Sequence, residues 1–400
     1  MRILIVNRWD DEFADYGAWI DHQDDRVFYV TIPSHLPLIP PKTEHVELVD
    51  DIAEVEHVIA AADLCHEQAG GFERILCLSE FDLLTGAMLR ERYGVPGADV
   101  QRTLNFRDKP RMKEVLGARG VRVPGFRLVE SPRDVAEFAA GVSGGLMLKP
   151  RAGAASQGCL ALPRGTDLAE ALAGLDDLHD YEVEEFLDGP IWHVDGLMYR
   201  SELLLGRASR YINTCYDFAR GTPLGSVVEA GALADQVVGF ARQCLEILGM
   251  ADGIFHLEVI QTTDGLAFLE VGARVGGGEI PFTFRDVYGV DLLGDWVQME
   301  LGRAPRTAPG GNAAEHAGFL MIPEAVGQRL TARTSLLGTI ECLYAEELPE
   351  VGHVFDGHGG YDTLLGRFRY RGASAEAVRA AIDATLERYH YELEHAEPEP

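Results

Sequence analysis

The strongest constraint on this chain lies in two alternating apolar runs, Gly253–Thr262 and Leu266–Val271, joined by Thr263-Asp264-Gly265. A three-residue connection with glycine in the left-handed position closes an antiparallel hairpin, and it pairs Thr262 with Leu266. Counting back four residues on each strand sets Glu258 opposite Glu270. Facing carboxylates repel unless one is protonated or a cation lies between them. Magnesium suits such a pair, because it takes oxygen ligands and is usually held by one or two carboxylates plus substrate phosphates. The turn decides the matter: a two-residue closure puts the carboxylates on opposite faces, where they read as solvated glutamates.

At 400 residues the chain exceeds one compact domain, so two or three are expected. The opening run Met1-Arg-Ile-Leu-Ile-Val6 predicts a strand buried on both faces of a parallel sheet. Helical patterns over 52–69 and 81–93 flank a strand at Arg74–Leu78, which gives an open α/β domain over residues 1–105. Asn7-Arg-Trp-Asp10 follows the first strand in place of a glycine fingerprint, so dinucleotide binding there has little support. Beyond Arg107 the pattern changes. Asp108 opens a helix carrying Lys109, and Ser131-Pro132 opens another. Leu146–Lys149 is a strand that runs into a small-residue loop, Tyr181–Leu187 is a second, and 233–248 is a helix ended by Gly249. A C-terminal helix from Ser374 to about Leu393 is expected, followed by a disordered acidic tail over 394–400.

The net charge of −29 sets the chain against a phosphate backbone or an anionic membrane surface, so no nucleic acid and no membrane partner is expected. Neither a membrane span nor a signal-peptide core is legible, and a cytoplasmic chain is expected. The six cysteines are scattered without a Cys-x-x-Cys pair, which predicts buried thiols rather than a disulfide framework or zinc ribbon. Only four of the 35 basic residues are lysine: Lys42, Lys109, Lys113 and Lys149. In a chain that otherwise uses arginine, a retained lysine points to a specific task.

Five segments, in this order, resemble the ATP-grasp superfamily: Lys109, the loop Lys149-Pro-Arg-Ala-Gly-Ala-Ala-Ser-Gln-Gly158, Glu184-Glu-Phe-Leu187, Glu258, and Glu270-Val-Gly-Ala-Arg274-Val-Gly-Gly277. The resemblance implies an α/β and α+β chain. It would comprise an open α/β pre-grasp domain (1–105), a lid subdomain (106–185), a catalytic subdomain (186–310) and a C-terminal α/β subdomain packed on the catalytic part (311–393). It also implies that Lys109 and Lys149 contact ATP phosphates under a loop containing Gly153, Ser156, Gln157 and Gly158. Glu184 would accept from the adenine amino group, with the backbone of Glu185 and Leu187 reading the base edge. Glu258 and Glu270 would bind Mg2+, and Arg274 would face the transferred phosphoryl or acyl-phosphate. Successive loop N–H groups and compact ammonium charges are physically apt for phosphate.

Two departures stand out. Gly272 occupies a position where the family often has asparagine, and Asp188-Gly-Pro-Ile-Trp-His193 replaces its usual ribose-binding acid, leaving Trp192 or His193 for that role. His256 precedes Glu258 by two residues, on the same strand face, where it could touch phosphate or substrate. Ser209–Asp217 and Glu279–Phe282 are the expected substrate contacts. Within the superfamily the chain looks most like the L-amino-acid (dipeptide) ligases and other carboxylate-amine ligases. This implies ATP-dependent activation of a small carboxylic or amino acid as an acyl-phosphate, followed by attack of an amine. A biotin-carboxylase-like carboxylase and a non-catalytic nucleotide sensor are the competing readings, and a homodimer stays open.

Overall fold

The computed structural model describes residues 1–400 except 10–12, 14, 154–155, 176–177, 311–314, 358–362 and 397–400. Arg2–Val6 lies inside a four-stranded parallel sheet, between Arg26–Thr31 and Arg74–Cys77, with His45–Leu48 at one edge. Ile3, Leu4 and Ile5 are fully buried, as a strand covered on both faces requires. Leu4 and Val6 pack toward the helix Val55–Ala69. Ile3 and Ile5 instead share a core with Trp296 and Val297 of the helix Leu292–Glu300, so a distant part of the chain covers the second face. The carboxyl ends of the strands open toward residues 7–9 and 78–82, the edge at which parallel sheets commonly present ligand sites.

A second sheet, of Phe126–Leu128, Tyr181–Glu185, Leu146–Pro150 and Leu160–Leu162 in that spatial order, is antiparallel. Helix Pro132–Gly141, closed at its start by a capping box between Ser131 and Asp134, lies over it. The third sheet has eight strands, running from Gly265–Gly272 through Gly253–Thr262, Ile191–Tyr199, Glu202–Ile212, Leu224–Val228, His316–Ile322 and Gly366–Gly372 to Leu343–Glu347. The strands His316–Ile322, Gly366–Gly372 and Leu343–Glu347 therefore extend the sheet that carries the hairpin and share its hydrogen-bond ladder.

The hairpin forms by a different route from the one expected. Its turn has two residues, with Thr262 paired to Gly265 rather than Leu266. Thr262 Oγ1 donates to the Gly265 carbonyl at 2.9 Å and accepts from the Asp264 N–H at 3.2 Å, which stabilises the tight closure. A bulge then places Val259 opposite Phe268 and Glu258 opposite Glu270, so Leu269 is the extra residue. Bulge and short turn cancel, and the carboxylates face each other.

The C-terminal helix ends at Arg388, and Tyr391–His395 is a strand paired with Gln328–Arg333. Leu393 sits opposite Leu330 with charged residues on either side of it, a period of two that overrides helix continuation. Glu394 and His395, expected in the disordered tail, are thus in a strand, while 397–400 lie outside the described residues. Among the described residues no helix is long and apolar enough to cross a membrane.

Candidate functional site

The hairpin, the second sheet and the carboxyl edge of the first sheet enclose a cleft of two lobes, about 310 and 290 Å³. Both lobes are lined by Ser156, Gln157, Tyr211, Cys215, Glu258 and Glu270, so they meet at the carboxylate pair. The first lobe is a slot between Met147, Ala161, Leu187, Ile260 and Leu269 with Lys109 and Lys149 at its inner end. An apolar slot ending in two ammonium groups fits a flat base with a polyanionic tail.

Those ammonium groups are held by a buried charge network. Lys149 pairs with one oxygen of Glu184, and Lys113 Nζ donates to the other at 2.5 Å and to Glu182 Oε1 at 2.6 Å. Burial opposes the charge on Lys149, but Glu184 and Glu270 outweigh it and hold the ammonium well above the usual lysine range. Burial likewise opposes ionisation of Glu184, and Lys149 and Lys113 overcome it and push its pKa down. Glu182, whose Oε2 has no partner among the described residues, is pushed up by burial. The Glu184 side chain, expected to accept from an adenine amino group, therefore spends both oxygens on lysines. The neighbouring Glu185 also lines the slot, with its carboxylate on Arg122 at 2.5 Å and its N–H taken by the Gly125 carbonyl. Leu187 stays on the slot wall. Lys113, one of the four retained lysines but given no role by the sequence, follows Lys109 by four residues on one helix, the spacing that puts two side chains on one face.

The loop over the lobes is tied at its start. Lys109 donates from its backbone N–H to Arg151 O (3.1 Å) and from Nζ to Gly153 O (2.6 Å), and Arg107 Nη2 donates to Ala152 O (2.9 Å). Gly158 has φ +68°, and a Cβ there would come within 2.9 Å of Pro150, so glycine is required where the loop turns back. Ser156 and Gln157 face both lobes, and residues 154–155 of the expected cradle over Gly153–Gly158 lie outside the described residues.

Glu270 Oε2 stands 3.3 Å from Lys109 Nζ. Burial opposes its ionisation, yet Lys109 and Lys149 hold its carboxyl down to about 2. Glu258 Oε1 accepts from the Tyr211 hydroxyl at 3.1 Å and lies 3.5 Å from His256 Nε2. Two carboxylate side chains in register offer the oxygen donor set a magnesium ion takes, so the residues present fit that metal. His256 is buried and lines the second lobe, and its Nδ1 bonds Asp195 Oδ1 at 2.8 Å. Burial opposes protonation of His256, but Asp195 overrides it and raises the pKa to about 9.

His193 does not reach the first lobe. It is buried beneath Tyr211 (ring centroids 4.5 Å apart), with Nδ1 at 2.5 Å from Asp195 Oδ2 and Nε2 at 2.6 Å from Ser226 Oγ. Trp192 points to the other face of the sheet, where its Nε1–H donates to Gln261. Neither lines the slot, because alternation along Ile191–Tyr199 sends one into the core and the other under the cleft floor. His193, Asp195 and His256 place three ligating atoms within 4.8 Å of one another, but both Nδ1 atoms are already spent on Asp195.

The second lobe draws on distant segments. Arg274 Nε donates to Glu80 Oε2 at 2.7 Å, and Arg107 pairs with the other Glu80 oxygen. Glu80 thereby links the loop-bearing Arg107 to Arg274. A Cβ on Gly272 would come within 2.7 Å of Glu80 Oε2, so glycine at 272 makes room for this carboxylate. Trp9, Phe13 and Leu78 from the first domain, Leu293 and Met321 complete an apolar wall that also carries Arg367. Of the expected substrate contacts, Tyr211 and Cys215 line both lobes, Thr214, Tyr216 and Asp217 the first, and Ile280 the second. Glu279 is a correction: it is fully buried, clamped by Arg367 and Arg369, and anchors the glycine run instead. Glu80 was missed; its one signal is its place just after Arg74–Cys77, at a carboxyl strand end.

No protein-family model matches the chain. It is 24% identical over 327 residues to the L-arginine-specific L-amino acid ligase of Bacillus subtilis, covering 76% of each chain. It is 26% identical over 207 residues to dapdiamide A synthase of Enterobacter agglomerans, 49% of this chain and 48% of that one. Among solved structures, the L-amino acid ligase from Bacillus licheniformis superposes with a TM-score of 0.77 at 18% identity over 98% of both chains. The biotin carboxylase domain of the Hydrogenobacter thermophilus 2-oxoglutarate carboxylase, bound to MgADP, ADP and bicarbonate, gives 0.69 at 15% identity, over 98% of this chain and 90% of that one. The architecture is that of the ATP-grasp fold.

Proposed function

We propose that this ATP-grasp chain is an ADP-forming carboxylate-amine ligase of the L-amino-acid ligase type, using ATP and Mg2+. The observation that carries the reading is the two-lobed cleft whose lobes meet at Glu258 and Glu270. The slot with Lys109 and Lys149 takes the nucleotide, and the lobe with Arg274 takes the acid.

Magnesium held by Glu258 and Glu270 supplies charge neutralisation at the transferring phosphoryl group. Lys149, kept charged by Glu184, and Lys109 meet phosphate oxygens in the slot. Arg274, oriented by Glu80, offers its guanidinium where negative charge builds on the acid and phosphoryl oxygens. A carboxylate oxygen of the acid displaces ADP at phosphorus, giving an acyl-phosphate. The amine nitrogen then attacks the acyl carbon, the bond from carbon to the phosphate oxygen breaks, and the nitrogen loses a proton. The nucleophiles come from the substrates, so no Ser-His-Asp set is needed.

A matrix of amino acids and amines, scored by phosphate release with mass spectrometry of products, tests the reading. Coupled products with ADP are expected for at least one acid-amine pair. ATP hydrolysis dependent on bicarbonate, with no coupled product from any pair, would move the assignment to a carboxylase; no turnover with intact nucleotide binding would leave a sensor.

A further inference from the structure

Among the described residues another cavity, of about 320 Å³, lies away from the cleft and shares none of its lining. It sits where the first domain, the helix Val100–Leu104 and the large sheet meet. Its floor is apolar, built from Leu83, Phe106, Met250, Ile254, Trp296 and Met299. Three guanidinium groups, of Arg74, Arg90 and Arg102, and two carboxylates, of Asp252 and Glu300, supply its charge. Arg90 is 5% exposed, with Nη2 on Glu300 at 3.0 Å, and its buried Nε has no partner. Asp252 accepts from the Arg200 N–H at 2.6 Å. Among the described residues Arg74 donates to the Glu73 carbonyl, and neither it nor the exposed Arg102 has a carboxylate within ion-pair distance. Two unneutralised guanidinium groups beside an apolar floor are out of place in a chain of net charge −29 unless something anionic visits them. The volume is at the lower end for small-molecule sites, roughly 300–1,000 Å³.

The cavity also backs onto the cleft. Ala273 lines it while the adjacent Arg274 lines the second lobe, and Leu83 lines it while Glu80 and Phe81 line that lobe. We propose that this cavity binds a small organic anion, a carboxylate or phosphate head on an apolar body, as a second ligand separate from those of the cleft. The head lies between Arg74 and Arg102, the body on Phe106 and Trp296, and the occupant touches the back of the segment that carries Arg274. This holds whatever the cleft's reaction is.

Calorimetric titration of the full chain with benzoate and with phenyl phosphate, with and without saturating ADP and magnesium, tests it. Binding of at least one probe is expected to persist with ADP. It should weaken about tenfold or more in Arg102→Ala, the loss expected of a charge-assisted bond. It should vanish in Ala98→Trp, which fills the mouth and leaves every charge in place. Arg102 is exposed, so that variant should fold and decides the matter even if the tryptophan variant does not. Saturable binding of neither probe up to roughly 10 mM, displacement by ADP, or unchanged affinity in Arg102→Ala would each overturn the proposal.

Discussion

The two lobes of the cleft are built in opposite ways. The walls and cations of the first come from a few regular elements: the helix Lys109–Gly117, the strands Leu146–Pro150 and Tyr181–Glu185, and the hairpin. The second collects Trp9, Glu80, Arg274, Met321 and Arg367 from loops and strand ends that span most of the chain. A lobe on rigid strands keeps one geometry for one recurring ligand, whereas a lobe assembled from loops can change its walls without disturbing the frame. Three of the four lysines, Lys109, Lys113 and Lys149, stand around the first lobe, and the second uses arginine.

The sharpest break is at the junction. Glu270→Gln should lower turnover by roughly 10²-fold or more, the scale of losing one electrostatic transition-state contact. Because Lys109 and Lys149 hold Glu270 ionised in the folded state, the variant should also melt slightly lower without ligand, rather than gaining from relieved repulsion. Full activity would take Glu270 out of the centre. Lys149→Met should weaken ADP binding about 10- to 100-fold by calorimetry, and acid specificity should stay as it was. A changed acid preference would mean that the lobes are not separate.

Glu80→Gln tests the other side. It frees Arg274 and Arg107, so the KM for the acid should rise about tenfold while ADP affinity stays within about twofold of wild type. A fall in ADP affinity larger than the change in KM would place Glu80 in the nucleotide lobe. The smallest effect is a titration. In the ligand-free protein the His256 imidazole should titrate near pH 9 by NMR, and below its ordinary value in Asp195→Asn, where burial acts without the Asp195 charge. Its folded pKa is raised, so the stabilisation is complete below about pH 6.5 and lost as the pH climbs through 9. An unshifted midpoint in wild type would dissolve the Asp195–His256 pair.

Local rules carried several regular elements well. The apolar run Arg2–Val6, the helix start at Asp108, the glycine stop at Gly249 and the strand around Lys149 each depend on neighbours within a few residues, and each is where the pattern placed it. Alternation along Tyr181–Glu185 buried Glu184 and left Glu185 half-buried beside Arg122. Where an expectation failed, a distant partner intervened. The end of the chain forms a strand because Gln328–Arg333 offers a free edge, and His193 lies under the floor because Ser226 and Tyr211 cover it.

The sequence by itself determined the types of the elements it marked, Tyr391–His395 excepted, the lysines worth following and the two carboxylates of the hairpin, because periodicity and capping are short-range effects. Only the tertiary structure decided that a bulge at Leu269 restores the facing of Glu258 and Glu270, and that Glu184 spends its charge on two lysines. It alone decided that Glu80, 194 residues from Arg274 along the chain, completes the second lobe in the space left by Gly272. Contacts across such separations depend on how sheets stack and which loops meet, and a burial pattern read along one chain carries no record of that.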